Sequence, residues 1–221
     1  MIAKAFAAVA ARKDLVIFAS GVSDSLERSA VAFDRERELL ERTRAAHAQA
    51  LLVYFGTCSV DDPDRRDTPY VRHKLAMEAV LAGSGRPWMV VRLPLALGPE
   101  HRSPTLANFL HDRIMRGEHF EVWSRSTRYP LDVEDAVRIS ERFIADRALW
   151  NRPINVALRA FPVLDFVRIL EAITGKRAKY TLVEKGAHYD VRCPELTRIS
   201  DELGLDTSRH YLERVLRKYF R

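Results

Sequence analysis

The feature that most constrains the fold is a set of three short, almost continuous apolar runs with long helical segments between them. The runs extend from Leu15 to Ala19, from Leu51 to Phe55 and from Trp88 to Leu93. Helical periodicity fills the intervals, from about residue 30 to 47 and from about residue 69 to 82. This alternation is typical of a parallel sheet that is buried on both faces and joined by right-handed crossovers.

The second half continues the alternation with shorter elements. We expect helices over about 105–116, 133–146 and 162–174, and strands over about 120–123 and 153–157. The prediction is therefore an α/β protein with helices on both faces of a parallel sheet. Residues 1–100 would form the core of the sheet. Residues 101–221 would form a smaller mixed α+β region that returns to it, most simply as one compact unit.

Composition excludes several classes of protein. A chain of 221 residues, 47% of them hydrophobic, can bury a substantial core. No apolar run approaches the ~20 residues of a membrane span, and the first residues lack a signal-peptide layout, so we expect a cytoplasmic protein with no membrane partner. Cys58 and Cys193 show neither a disulfide framework nor metal-ligand spacing, and no metal site is predicted.

The charge balance favours a small anionic ligand. Basic residues outnumber acidic ones by 36 to 30, and they are scattered along the chain rather than gathered in a nucleic-acid stripe. The local basic concentration at residues 209–221 carries apolar residues at helical spacing, which predicts a docked terminal helix with a solvated basic face. Nucleic-acid binding through this end is a further hypothesis that rests on charge alone.

Polar residues follow each of the three apolar runs. Ligands of open parallel sheets bind beyond the carboxyl ends of the strands. Here those ends carry Ser20-Gly21, Thr57-Cys58-Ser59 and Pro94, and the helix after the middle strand carries Tyr70 and Lys74. The polar candidates therefore fall on one edge of the predicted sheet.

Tyr70 and Lys74 have the chemistry of a proton-transfer pair. Residues four apart on a helix share one face, so the ammonium would lie beside the phenol. A phenol titrates near pH ~10, and a fixed cation favours the phenolate and brings its pKa toward the working range. The Thr57 or Ser59 hydroxyl could orient a substrate oxygen. Turn or cap roles for these hydroxyls, and a purely structural Tyr70, are the alternatives.

Several ordered blocks resemble the extended short-chain dehydrogenase/reductase family, which contains nucleotide-sugar epimerases, dehydratases and reductases. The matching blocks are Asp14 to Gly21, Val53 to Val60, the Tyr70-x-x-x-Lys74 pair, Arg92 to Pro99 and Arg128 to Asp135. The resemblance covers nearly the whole chain. It implies a Rossmann-like sheet, truncated at its amino end, with a small substrate region after it.

The resemblance also implies roles for individual residues. Tyr70 would be the catalytic acid/base, Lys74 would lower its pKa and bind the nicotinamide ribose, and Thr57, with Ser59 as second candidate, would polarise the substrate carbonyl or alcohol. The residues implied in cofactor binding, to NAD or NADP, are Ala19, Ser20, Gly21, Tyr70, Lys74 and Pro94. Arg128 would bind the phosphates of the substrate. A homodimer could form through a two-helix face that includes the Tyr70 helix.

The chain departs from the family pattern at several positions. Leu95 and Leu97 stand where the family usually has Asn and Tyr, and Asp132 replaces a His, which argues against a standard diphosphate-sugar substrate. The sequence begins inside what resembles the first helix, with Ala3 at its last small position. The strand and Gly-x-Gly-x-x-Gly turn that cradle the pyrophosphate are therefore not in it.

This start would leave residues 15–19 at an apolar sheet edge, which soluble proteins normally pair or cover. Either the true start lies some ten residues upstream of Met1, or another chain or a local rearrangement covers the edge.

The leading functional hypothesis is an NAD(P)-dependent oxidoreductase or epimerase. It would act on a carbonyl or secondary alcohol of a sugar-like substrate, with or without a linked nucleotide. The alternative is a non-catalytic relative, a dinucleotide sensor or scaffold, that keeps the fold and has lost cofactor binding.

Overall fold

The computed structural model describes residues 2–7, 12–100 and 105–221. Its strands, β1 to β10 in chain order, are Leu15–Phe18, Leu51–Thr57, Trp88–Leu93, Leu95–Leu97, His119–Trp123, Thr127–Arg128, Pro130–Asp132, Pro153–Asn155, Phe161–Pro162 and Lys179–Val183. Its α-helices, α1 to α8, are Ile2–Ala5, Ala30–Ala46, Pro69–Ala82, Leu106–Arg116, Val133–Ala145, Val163–Thr174, Pro194–Ile199 and Tyr211–Tyr219. Short 3₁₀ turns cover Cys58–Val60 and Arg147–Leu149.

The main sheet has the strand order β1-β2-β3-β8, and each neighbouring pair is parallel. In the register, Ile17 lies opposite Val53, and Val53 lies opposite Met89. The three apolar runs are therefore adjacent strands whose carboxyl ends meet at one edge. This arrangement confirms the predicted parallel α/β sheet.

Helices cover both faces of this sheet, as predicted. On one face, α2 and α3 contribute Leu40, Met77 and Leu81 to a cluster with Tyr54 and Val90 of the strands. On the other, the α5 residues Ile139 and Phe143 pack with alternate strand residues such as Val53, Met89 and Val91. Alternation of side chains along each strand explains how one apolar run supplies both clusters.

Within the described residues, β1 is an edge strand that pairs with β2. Phe6, after α1, is buried, and its ring centroid lies 5.3 Å from that of Phe55. A cavity of about 530 Å³ runs beside β1, lined by residues that include Phe6, Arg12, Ile17 and Ser20. The predicted edge position of the first apolar run is thus confirmed for the described part of the chain.

The second half builds a separate apolar cluster. Helices α4, α6 and α8 pack together, and Tyr211, Leu212, Val215 and Leu216 of α8 are buried there. The terminal basic segment is therefore a docked helix, as its apolar spacing predicted. Within the described ranges, no helix is long and apolar enough to span a membrane.

The strand predicted at 120–123 forms, but in a different sheet from the main one. It is β5, and it pairs in parallel with β10, which the sequence did not reveal. Four of the five β10 residues are exposed, so the strand lacks the apolar alternation that would have marked it.

Candidate active site

The start of α3 fixes the position of Tyr70. Thr68 caps the helix, its side chain accepting a 3.4 Å hydrogen bond from the Val71 backbone N–H, and Pro69 occupies the first turn. Tyr70, which follows Pro69, is therefore held in the first turn of α3. Lys74, four residues later, lies on the same face of that helix. Both side chains are buried, with 7% of Tyr70 and 3% of Lys74 exposed.

Thr57 is the hydroxyl residue that the structure places beside Tyr70. It ends β2, its Oγ1 accepts a 3.1 Å hydrogen bond from the Ser59 backbone N–H, and its side chain lies close enough to the Tyr70 phenol to act on the pKa of that group. Burial raises the pKa of Tyr70 to about 12, although the neighbouring Thr57 side chain acts in the lowering direction. Tyr70 is therefore a neutral phenol at physiological pH. Ser59 is half-buried in the Cys58–Val60 turn.

Lys74 lies beside Tyr70 but donates its hydrogen bonds to other groups. Its Nζ atom is 5.9 Å from the centroid of the Tyr70 ring. The ammonium donates to Glu36 Oε1 at 3.1 Å, to the Tyr54 hydroxyl at 3.0 Å and to the Phe55 carbonyl at 3.4 Å. These three acceptors match the three donors of an ammonium, so a contact with a ligand requires one of them to be exchanged. Burial lowers the pKa of Lys74, against the raising effect of Glu36.

The carboxylate of Glu36 is the centre of a buried polar cluster. None of the residue is exposed to solvent. Burial acts to raise the pKa of Glu36, but the His73 hydrogen bond, the Lys74 charge and further hydrogen bonds outweigh it and lower the pKa to about 2. Because an ionised carboxylate can only accept, His73 Nε2 is the donor in its 2.9 Å contact with Glu36 Oε2.

Ala19, Ser20 and Gly21 follow β1 at the same edge of the sheet. Ala19 and Ser20 line the 530 Å³ cavity beside that strand. Gly21 packs against the buried cluster: a Cβ atom there would lie 2.5 Å from Glu36 Oε1 and 2.9 Å from Lys74 Nζ. Ala19 and Ser20 thus face the open cavity, and Gly21 packs against the ion pair between Lys74 and Glu36.

Arg128 and Pro94 lie near the same edge. Pro94 is half-buried between β3 and β4. Arg128 lies in β6, with 16% of its side chain exposed and a nitrogen 3.7 Å from Asp62 Oδ2, in the segment that joins Thr57 to Tyr70. Burial and then neighbouring Arg65 lower the pKa of Arg128. Asp62 is buried, and no donor of the described residues hydrogen-bonds its Oδ2 atom.

The residues that depart from the family pattern have structural contacts. Asp132 accepts a 2.7 Å hydrogen bond from the Tyr219 hydroxyl and a 2.9 Å hydrogen bond from Lys218, both on α8. Asp135, in the first turn of α5, accepts a 2.9 Å hydrogen bond from the Tyr211 hydroxyl. These acids attach the terminal helix to the start of α5. Of the other two departures, Leu97 is buried in the α4–α6–α8 cluster and Leu95 packs against that cluster.

Glu36 and Tyr54 were not among the residues predicted from sequence. A signal for Glu36 does exist, because it lies three residues after half-buried Phe33 and four before buried Leu40, which is the spacing of one helix face. A charged residue on the apolar face of a helix requires a buried partner. For Tyr54, an apolar strand residue, the sequence carries no comparable signal.

The cysteines are buried and free. Burial raises the pKa of the Cys193 thiol to about 11 and raises that of Cys58 as well, so neither is an activated nucleophile. In the described parts of the chain, no group of three or more His, Cys, Asp or Glu residues could hold a metal ion.

A four-stranded parallel sheet with helices on both faces, and polar residues at its carboxyl edge, defines a Rossmann-like α/β protein. No protein-family model matches the sequence, and no curated protein sequence matches it. Solved structures of similar fold do match. UDP-glucose 4-epimerase from Thermotoga maritima, solved with UDP-glucose, has a TM-score of 0.68 at 18% identity, over 94% of this chain and 77% of that chain.

Two further solved structures give comparable values. UDP-glucose 4-epimerase from Thermus thermophilus, in complex with NAD, has a TM-score of 0.69 at 16% identity, covering 100% of this chain and 81% of its own. RMD from Pseudomonas aeruginosa, complexed with NADPH, has a TM-score of 0.69 at 17% identity, over 92% of this chain and 79% of that chain. These similarities confirm the predicted Rossmann-like fold.

Proposed function

We propose that this protein is an NAD(P)-dependent oxidoreductase or epimerase that acts on a carbonyl or secondary alcohol of a sugar-like substrate, with or without a linked nucleotide. The observation that carries the proposal is that buried Tyr70 lies beside the Thr57 hydroxyl at the carboxyl end of β2, with the Lys74 ammonium 5.9 Å from the centroid of the Tyr70 ring. A phenol, a hydroxyl and a cation at one point are the groups that proton transfer to a substrate oxygen needs.

In this proposal Tyr70 exchanges a proton with the substrate oxygen. A pKa raised to about 12 by burial keeps Tyr70 protonated, so it suits donation of a proton to a developing alkoxide. The Thr57 hydroxyl lies beside the same phenol and would hold the substrate oxygen there. The reverse reaction requires the phenolate, which the nearby positive charge of Lys74 favours.

The proposed place for the dinucleotide is the cavity beside β1. Ala19 and Ser20 line a cavity of about 530 Å³, within the range of small-molecule sites, and Gly21 presents backbone without a side chain next to Lys74. Ala19, Ser20, Gly21 and Pro94 would hold the cofactor, which supplies hydride transfer when bound. The Thermus thermophilus epimerase and RMD, which share this fold, were solved with NAD and with NADPH respectively, which supports this choice of cofactor.

Arg128 is the proposed contact for an anionic substrate. Its guanidinium is largely buried, and its nearest carboxylate, that of Asp62, is 3.7 Å away, beyond an ordinary hydrogen bond. Arg65 lies close enough to lower the pKa of Arg128, so two positive groups neighbour each other. An anion between them would relieve that repulsion, as the phosphates of a nucleotide-linked sugar would.

The direct test is Tyr70→Phe, assayed with NAD or NADP and a panel of UDP- and dTDP-sugars by product chromatography. Loss of a positioned acid/base group should lower turnover by about 10²- to 10⁴-fold, with the circular dichroism spectrum unchanged. The matched control is Tyr180→Phe, which removes a hydroxyl from a residue that is 37% exposed on β10. A Tyr70→Phe protein as active as this control would refute the proposed role of Tyr70.

A second candidate is a non-catalytic dinucleotide-binding or scaffold protein. The full use of the Lys74 donors by Glu36, Tyr54 and Phe55 favours it, because none is then left for a cofactor ribose. Isothermal titration with NADH and NADPH separates the candidates. Dinucleotide binding with substrate turnover supports the enzyme, and dinucleotide binding without turnover supports a sensor. Absence of dinucleotide binding supports a scaffold.

A further inference from the structure

Glu36 is a fully buried carboxylate that four donors surround. Its Oε1 atom accepts hydrogen bonds from the Tyr54 hydroxyl at 2.6 Å and from Lys74 Nζ at 3.1 Å. Its Oε2 atom accepts from the Val22 backbone N–H at 2.6 Å and from His73 Nε2 at 2.9 Å. An unpaired buried carboxylate would be strongly unfavourable, so such complete pairing makes the position of this group well defined.

The partners of Glu36 come from three separate parts of the chain around the Tyr70 site. Val22 belongs to the segment after β1, Tyr54 to β2, and His73 and Lys74 to α3, while Glu36 itself lies on α2. Gly21 closes the cluster on the side of the proposed cofactor cavity, where a Cβ atom would lie 2.5 Å from Glu36 Oε1. Glu36 therefore links the segment after β1 to the helix that carries Tyr70.

We propose that Glu36 is a positioning residue of the Tyr70 site, which fixes the Lys74 ammonium beside Tyr70 and maintains its positive charge. The proposal rests on the proposed function for the meaning of that charge, which is to favour the Tyr70 phenolate against burial and the Glu36 carboxylate, both of which raise the pKa of Tyr70. The contacts between Glu36 and Lys74 carry it independently of any substrate.

The charges around Lys74 identify Glu36 as its main counter-ion. The titratable groups that face Lys74 are Glu36 from α2, Tyr54 from β2, and Tyr70 and Glu78 from α3. Glu78 is engaged by the Arg92 guanidinium through hydrogen bonds of 2.9 and 2.6 Å, which offset its charge. The two tyrosines are neutral, since burial raises the pKa of both. Glu36 thus opposes the desolvation that lowers the pKa of Lys74.

The test is Glu36→Gln, which keeps the size of the side chain and removes its charge. Loss of a contacting opposite charge should lower the pKa of Lys74 by roughly 1 to 3. The measurement is NMR titration of ¹³Cε-labelled lysine in the full-length protein, with the Lys74 signal assigned from its loss in Lys74→Met. The matched control is Glu141→Gln, an exposed position on α5, which should leave the Lys74 titration unchanged.

Glu36→Asp provides a second variant, because removal of a buried charge can itself prevent folding. Aspartate keeps the charge but withdraws it by one methylene, so the pKa of Lys74 should fall by a smaller amount in the same direction. A Lys74 pKa equal to the wild-type value in either folded variant would overturn the proposal.

Because the Lys74 titration does not require turnover, its result tests the role of Glu36 independently of the proposed function. If wild type binds dinucleotide and turns over a substrate, the alkaline limb of the pH–kcat profile should move to lower pH in Glu36→Gln. A wild-type protein without turnover refutes the proposed function, whereas an unchanged Lys74 titration refutes the role of Glu36.

Discussion

Replacement of Gly21 by alanine tests how tightly the segment after β1 is fitted to the buried ion pair. The added Cβ would lie 2.5 Å from Glu36 Oε1 and 2.9 Å from Lys74 Nζ. The carboxylate oxygen would have to retreat by about 0.9 Å to reach the 3.4 Å of an ordinary contact. It is held by hydrogen bonds of 2.6 Å from Tyr54 and 3.1 Å from Lys74, so the retreat strains or breaks at least one of them.

The magnitude follows from the charged character of these hydrogen bonds. A hydrogen bond to a charged group is worth about 1.5–3 kcal/mol, and breaking a buried ion pair costs about 3–5 kcal/mol. Because the Glu36 and Lys74 side chains can share the displacement, we expect Gly21→Ala to lower the free energy of unfolding by about 2–4 kcal/mol. With urea m-values of roughly 2–3 kcal/mol/M, the midpoint should fall by about 1–2 M.

The assay is urea unfolding followed by tryptophan fluorescence, with Gly83→Ala as matched control. Gly83 ends α3 with φ −76°, and a Cβ there would have Ala79 O, at 3.5 Å, as its nearest neighbour. This control should be neutral or stabilised by about 0.4–1 kcal/mol, because alanine restricts the unfolded chain. Glu36→Asp in the Gly21→Ala background should recover part of the loss, since the shorter acid vacates the contact. A Gly21→Ala midpoint equal to that of Gly83→Ala would refute the reasoning.

Two further predictions concern acid stability and substrate binding. The pKa of Glu36 falls from 4.5 to about 2 on folding, so its contribution to stability is complete above about pH 4.5 and is lost as the pH falls through 2. This contribution of Glu36 to the free energy of unfolding is at most about 3 kcal/mol. Urea midpoints measured between pH 5 and pH 2.5 should therefore fall less steeply in Glu36→Gln than in wild type. Equal slopes of urea midpoint against pH in the two proteins would contradict this prediction. Arg128→Gln should raise the KM for a nucleotide-linked substrate by about tenfold or more and change kcat little, while Arg125→Gln, an exposed control, leaves both unchanged. An unchanged KM in Arg128→Gln would remove Arg128 from the proposed substrate site.

The order of the main elements could be predicted because it depends on local patterns. The runs at 15–18, 51–55 and 88–91 are apolar at successive positions, a pattern typical of strands that are buried on both faces. The Thr68-Pro69 cap and the glycine after Ala82 mark the ends of α3 in the same local way. In contrast, β10 depends on its pairing with β5, a long-range contact that leaves no period in the sequence.

The same distinction between local patterns and long-range contacts applies to the proposed site. Tyr70, Lys74 and Thr57 could be named as candidates because a helix places residues four apart on one face, and because strand ends collect at one sheet edge. Which acceptors Lys74 would use could not be predicted. Its hydrogen bonds reach Glu36, 38 positions away in sequence, and Tyr54, 20 positions away.

By itself, the sequence determined a parallel α/β sheet and the presence of a phenol, a hydroxyl and an ammonium at its carboxyl edge. Tertiary structure alone decided that Thr57 lies beside the Tyr70 phenol and that Glu36 accepts a hydrogen bond from Lys74. The physical reason is the sequence distance over which each effect acts. Backbone periodicity depends on residues a few positions apart, so the local sequence reveals it. The pairing of buried charges depends on which side chains the completed packing brings within about 3 Å, and on the loss of water that makes such pairing necessary.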